Sequence, residues 1–376
     1  MLSFAALLAV TFYADVLPIL ERRCLGCHQA GEAAPMPLGS FAEARPFAKA
    51  IRDAVLQATM PPGGGLPAAE AAVLRQWAAR PAPGPGARPA VLPVRPSVRD
   101  DLTLRMPTPF PVPPGATVDY QHFVLPTGQT TPRWVQAIEI RPGNRRVVHH
   151  AVAFVRTARS EFLRGGRLSV EDEVLGTYLP GEGLLRWPAG QAKLLPAGAE
   201  IVLQMHYTAT GKPEEDQTAL RLEFGPPPRE RVYTLSIAQW DFAIPPFAPA
   251  HPVTVAFPVQ TGVRVLAVTP HMHLRGRSMR VTAGDAVVLD LPRYRFDWQL
   301  RRVLPRPVEL AAGEVIRVEA TFDNSPNNPR NPDPAATVRW GEQSWQEMMV
   351  AFVDEFVLEL RGRRKTTSPD EALRNE

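Results

Sequence analysis

Residues Arg146–Val155 read RVVHHAVAFV. The run is short, apolar and rich in β-branched residues, and turn-forming residues precede it, which is the pattern of a strand. Working outward, the same pattern recurs in WVQAIEIRP (134–142), AEIVLQMHYTAT (199–210), YTLSIAQWDFAI (233–244), PVTVAFPV (252–259), RVLAVTPHMHL (264–274), VIRVEATF (315–322) and MMVAFVDEFVLEL (348–360). Short strands separated by Pro, Gly, Asn and Asp turns predict antiparallel β-sandwiches of jelly-roll kind. Roughly 260 residues from Asp101 onward exceed the ~100 residues of one such sandwich. The FGPPPR break at 224–229 divides them, predicting sandwich domains over 101–226 and 227–362.

Composition agrees. Of 376 residues, 45% are hydrophobic and 21% charged, enough for real cores, and 42 prolines argue against long helices. Net charge is only +4, and the one basic run, RGRRK (361–365), reads as a solvated tail. No basic face with interleaved aromatics stands out, which argues against a nucleic-acid partner. The first ten residues, MLSFAALLAV, resemble the apolar core of a signal peptide without its positive n-region, and they are too short to span a bilayer. Nothing else reads as transmembrane. The expectation is a periplasmic or exported bacterial protein. Residues 363–376 read as a disordered tail.

Residues 11–80 differ from the rest. Helices are expected over Tyr13–Arg22, from a Ser40/Glu43 capping box through Phe47, Ile51, Ala54 and Val55, and over Pro67–Arg80. After the first comes CLGCH, Cys24 to His28. Cys-x-x-Cys-His is the attachment signal of a covalently bound c-type haem, with thioethers from Cys24 and Cys27 and His28 as the proximal iron ligand. The rival readings are a redox pair, which lacks its βαβ context, and half a zinc site, which lacks a partner pair. Met60 is the expected sixth ligand and Met36 the alternative, with a core methionine as the plain reading of either. The segment resembles the small cytochrome c domains fused to bacterial periplasmic enzymes. With both cysteines used, no disulfide is left. Residues 81–100, opening with PAPGPGARPAVLPVRP, predict a semi-rigid linker.

Five of eight histidines fall in three of the strand-like runs: His149-His150, His206, and His271 with His273. The i, i+2 spacing of His271 and His273 puts both rings on one strand face. Adjacent His149 and His150 point to opposite faces of a regular strand, so joint binding of one ion requires a bulge or a strand end. Three imidazoles suit zinc or copper, and two imidazoles with a thioether point to Cu(I). Ring stacking and hydrogen bonds at hairpin edges are the alternative without metal.

The series HH, LQxHY, HxH and EM resembles the copper type II, ascorbate-dependent monooxygenases, the family of peptidylglycine α-hydroxylating and dopamine β-monooxygenases. The likeness covers about Asp101 to Leu360 and lies in motif order. It implies two copper ions, an electron-transfer copper on His149, His150 and His206, and an oxygen-activating copper on His271, His273 and Met348. It implies Gln204 in a wet cleft between the metals, and insertion of one atom of O2 into a C–H bond of a small-molecule substrate. Met348 is preferred to Met349 because it directly follows Glu347. Where the peptide-amidating branch grips a substrate carboxylate with arginine and tyrosine, this chain has Thr269 and Phe352, so a less anionic substrate is expected, hydroxylated at an aliphatic or benzylic position. The family's animal members carry disulfides that this chain lacks. Its electrons would come through the fused haem from a periplasmic donor, or from an ascorbate-like reductant. The alternative function is a non-catalytic haem and copper electron-transfer or copper-binding protein; a sandwich with vestigial histidines would bind no metal. His122 and His251 read as structural, and the loop 323–334 as a cleft wall or an ordinary connection.

Overall fold

A computed structural model describes residues 10–61, 65–93, 97–115, 118–160 and 173–357. All of the signal-like segment but Val10, and the polar tail, therefore lie outside the described residues. The chain is mostly β-sheet, with a small helical unit at its start. Among the described residues no helix is long and apolar enough to cross a membrane.

The helical unit is built from Leu17–Arg23, Ala48–Leu56 and Ala68–Ala79 with short turns between. Phe12, Leu17, Leu20, Leu25, Leu74 and Trp77 form its core. Ser40 caps the turn that begins at Phe41: Glu43 N–H donates to its Oγ at 3.3 Å. The proline-rich connector lies on this unit. Phe12 N–H donates to Ala82 O at 2.9 Å, Trp77 Nε1–H to the same oxygen at 3.2 Å, and Arg88 pairs with Glu21.

Beyond it, one long sheet runs through both β halves. Its order is Leu102–Arg105, Ala219–Gly225, Arg133–Arg141, Gln191–Leu195, Glu230–Ala238, Met349–Val357, Val263–Met272 and Arg302–Leu310, with Leu184–Arg186 beside Arg133–Arg141. The halves join where Gln191–Leu195 and Glu230–Ala238 pair in parallel, Gln191 opposite Glu230. A four-stranded sheet covers each half. One is ordered Gln121–Pro126, Glu200–Tyr207, Val148–Arg156, Val174–Tyr178, and the other His251–Pro258, Val315–Phe322, Gly276–Ala283, Ala286–Leu291. Each half has its own core.

Alternation then explains why the first quoted stretch is apolar on both faces. Ala151, Ala153 and Val155 enter the core of the first half, as do Ile201, Leu203 and Met205. Val152, Phe154 and Val202 face the other way and meet Met348, Val350 and Phe352 of the second half. Met349, Ala351 and Val353 enter the second core. Burying each large apolar side chain of this seam contributes about 1.5–3 kcal/mol, against about 5–15 kcal/mol for a whole domain, so the halves stay docked.

One inward position of the second half is a carboxylate. Glu355 continues the Met349–Val353 series at 5% exposure, and its Oε2 has no hydrogen-bond partner. Burial pushes its carboxyl up to about 7 from 4.5. The folded chain therefore holds a proton that the unfolded chain releases, and stability falls as pH rises from 4.5 through about 7. Glu355→Gln should flatten that fall and stabilise the protein by up to about 3 kcal/mol at pH 8, read from urea midpoints at pH 5 and 8. Equal effects at both pH values would count against it.

Candidate metal centre

The seam between the halves carries the histidines. Strand Val148–Arg156 pairs with Glu200–Tyr207 so that Val148 faces Tyr207 and His150 faces His206, which leaves His149 as an extra residue. This is the bulge that two adjacent ligands require, and it turns His149 out of the alternation. His149 Nδ1 lies 3.0 Å from His150 Nδ1 and 3.2 Å from His206 Nδ1. All three residues offer ligand atoms within 4.8 Å of one another.

The outer nitrogens of two of these rings are engaged. His149 Nε2 is 3.4 Å from Asp297 Oδ1, an oxygen that only accepts, so the proton sits on Nε2 and Nδ1 carries a lone pair. His150 Nε2 is 3.0 Å from the Tyr120 hydroxyl. One lone pair on His149 cannot satisfy two neighbouring ring nitrogens as hydrogen-bond donors, whereas one cation satisfies all three. Imidazole nitrogens bound about 2.0–2.1 Å from a shared ion stand about 3.3–3.6 Å apart, close to the spacing found. Burial, reinforced by the neighbouring histidines, lowers His150 and His206 well below the ordinary range, so both rings are neutral and ready to ligate at pH 7.

His271 and His273 come from the end of Val263–Met272, with Met272 between them in the second core. His271 pairs with Val350 and Met272 with Met349, so continuing the register sets Met348 beside His273 on the seam face. Met348 is thus the methionine on the histidine face, and Met349 is a core residue. Gln299 Nε2 donates to Phe296 O at 2.9 Å, which turns its Oε1 toward His271 Nδ1 at 2.5 Å. His271 Nδ1 is therefore the protonated nitrogen. His273 Nδ1–H donates to Gln346 O at 3.3 Å, and its Nε2 is buried with no partner. The Nε2 lone pairs of His271 and His273, with the Met348 thioether on the same seam, would make a soft, neutral donor set. Burial lowers His271 to about 4 despite the Gln299 bond, and lowers His273 well below the ordinary range.

The two groups touch. His150 and His271 rings meet edge to face at 5.9 Å, Tyr120 stacks on His206 at 4.8 Å and on His273 at 5.9 Å, and Phe296 packs against His149, His206 and His273. His150, His206, His271 and His273 are 3%, 5%, 7% and 0% exposed. The wet cleft expected from the family resemblance is closed by aromatic contact here. Gln204 lies on the same face as His206, two residues earlier, and donates to His122 Nε2 at 2.9 Å. His122, read as structural, is therefore the partner of a candidate site residue. His251 pairs with Phe322 on the far sheet, away from this group. Thr269 and Phe352 face each other in register, and Phe352 belongs to the apolar seam.

Support comes from residues the motifs do not contain. The buried Glu347 carboxylate accepts from His273 N–H at 2.8 Å and Arg275 N–H at 2.6 Å, while burial pushes its carboxyl up to about 8. Tyr294 bonds both backbone groups of Met272, and a Cβ at Gly276 would stand 2.8 Å from the Tyr294 ring, so only glycine permits that approach. The loop 323–334 braces the other side, with Asn324 on the buried Arg275 guanidinium and Asn328 on Leu274 O.

The CLGCH residues line a second feature, a crevice of about 680 Å³ between the helical unit and the β halves. Cys24, Cys27, His28, Met36 and Met60 line one side, and Arg145, Arg146, His149, Asp297 and Trp298 the other. His28 Nδ1–H donates to Met36 O at 3.1 Å, leaving Nε2 as the lone-pair nitrogen. Burial pushes the Cys24 thiol up to about 12, unlike the low-pKa thiols of redox CxxC pairs.

No protein-family model matches this chain, and no curated protein does. Among solved structures it is similar to the major capsid protein P2 of bacteriophage PM2, with 9% identity and a TM-score of 0.27 over 69% of this chain and 98% of that one. PBCV-1 VP54 gives 8% identity and 0.21 over 70% and 97%, and the CUB1-EGF-CUB2 domains of rat MASP-1 give 10% and 0.16 over 65% and 96%. At such TM-scores these likenesses carry no argument about the chain.

Proposed function

We propose that the chain is a copper-dependent monooxygenase of two sandwich domains fused to a c-type cytochrome domain, a periplasmic or exported protein related to the copper type II, ascorbate-dependent family. The observation that carries this reading is the convergence of three Nδ1 atoms on the bulge, with a second soft donor set, His271, His273 and Met348, on the same seam. His149, His150 and His206 would hold one copper, His271, His273 and Met348 the other, and Cys24, Cys27 and His28 the haem. Bound there, copper supplies one-electron and dioxygen chemistry and haem supplies electrons from a periplasmic donor or an ascorbate-like reductant.

The protein's own residues then have distinct tasks. Tyr120, Asp297 and Gln299 fix ring orientation through outer nitrogens. Glu347 anchors the backbone of His273. Val350 and Phe352 make the seam beside Met348 apolar, which favours an uncharged small organic substrate over a peptide terminus. Met36 is engaged with His28 through its carbonyl, so Met60, which also lines the crevice, would be the methionine that holds the haem together with His28.

The test is a panel of uncharged aliphatic and benzylic substrates given to copper-loaded holoprotein with ¹⁸O₂. One labelled oxygen atom per product, absent without copper, is the expected result. The near-complete burial of four histidines specifically favours the second reading, a non-catalytic electron-transfer protein. Copper that cycles redox state without labelled product from any substrate would decide for it.

A further inference from the structure

The crevice lined by Cys24, Cys27 and His28 and the histidine triad share one wall, the imidazole of His149. Its Nδ1 faces the triad, its Nε2 faces Asp297, and its ring lies on Phe296 at 5.0 Å and 25°. Being the bulge residue, His149 lacks the regular pairing that orients His150 and His206, so its orientation must come from contacts across the seam. Asp297 supplies the polar one. Its other oxygen is held by Arg330 of the bracing loop and by Arg295 at 3.5 Å, and Arg295 also donates to Thr59 O, next to Met60, at 3.4 Å. Asp297 therefore ties together the helical unit, the bulge of the first half and the loop of the second.

We infer that Asp297 is a positioning residue that fixes His149 as the bridge between the crevice and the triad, so that electrons pass between them through this imidazole; this rests on the copper and haem reading above. The step moves one electron, from ferrous haem to a cupric ion at the triad, giving ferric haem and a cuprous ion, with no proton or bond transferred. A surface ion pair with Arg330 alone would not touch either centre.

The experiment compares wild type, Asp297→Asn and Asp297→Glu as holoprotein carrying haem and copper. Haem is reduced anaerobically with dithionite and its reoxidation by cupric ion is followed optically, and the cupric EPR spectrum is recorded alongside. Asp297→Asn should keep its haem spectrum, change the copper hyperfine splitting and slow reoxidation about 10–100-fold, the range for loss of a ligand-orienting partner. Asp297→Glu should recover most of the rate. Unchanged rate and EPR spectrum in Asp297→Asn would overturn the inference while leaving the copper and haem reading intact. Copper-independent reoxidation in the wild type would overturn both.

Discussion

His206→Ala should cost the protein one copper per chain and leave its haem in place. The triad has three converging nitrogens, and His206 supplies one while stacking on Tyr120. Loss of a ligand's outer partner alone weakens metal binding about 10–100-fold, so loss of the ligand should exceed about 100-fold. His206 also sits at a buried position where alanine leaves a small cavity, so a fold control is needed. His251→Ala, on the far sheet, should bind copper like the wild type. Competitive titration against a Cu(I) chelator reads both. Wild-type affinity in His206→Ala would show that the triad is not a metal site, and the monooxygenase reading would lose its main support.

The second large effect is on stability. Lys193 of the first half is 1% exposed and bonds Val174 O and Thr234 Oγ1, with Glu173 at 3.6 Å and Asp354 at 3.9 Å. Thr234 donates to Asp354 at 2.5 Å, and Arg301 donates to the other oxygen of Asp354 at 2.6 Å. This network crosses from the first half to the second where the long sheet is continuous. Burial opposes the charge on Asp354, but Lys193 and Arg301 prevail and lower its pKa, whereas burial wins at Glu173 and raises it. Removing the cation leaves Asp354 with Arg301 alone and takes the donor from the buried Val174 carbonyl and Thr234 hydroxyl. Lys193→Ala should therefore destabilise the folded chain by about 3–5 kcal/mol, far more than an exposed pair such as Arg280–Asp290, worth about 0–1 kcal/mol. Denaturant midpoints of Lys193→Ala and Arg280→Ala test this, and similar shifts for the two would refute it.

How much of this was legible in the sequence depends on whether the cause is local. Each of the eight quoted runs contains a strand among its described residues, because period-2 alternation and turn residues are local signals. The bulge was legible in part, since two adjacent residues on one face call for a bulge or a strand end, and the register shift between Val148 and His150 is the first of these. Met348 over Met349 follows from register once the His271–Val350 pairing exists, whereas along the chain only the flanking Glu347 tells the two apart. Tyr120, Asp297, Phe296 and Gln299 were missed because they reach the histidines across chain distances that no spacing rule spans. Tyr120-x-His122 carried a faint hint, as the same alternation as Gln204-x-His206 on the strand it pairs with. The closed cleft was missed for a different reason: it depends on how the two halves dock, and the apolar seam that docks them looks like ordinary strand interior. The long sheet that joins the halves, through a parallel pairing of two residues, leaves no mark in composition.

The most direct measurement is the copper-to-iron ratio of protein matured in a periplasm that attaches haem. Two coppers per haem iron is the ratio this account predicts, one on the Nδ1 triad and one on the Nε2 and thioether set. Haem without copper would contradict it and leave a cytochrome joined to a copper-free β-sandwich scaffold.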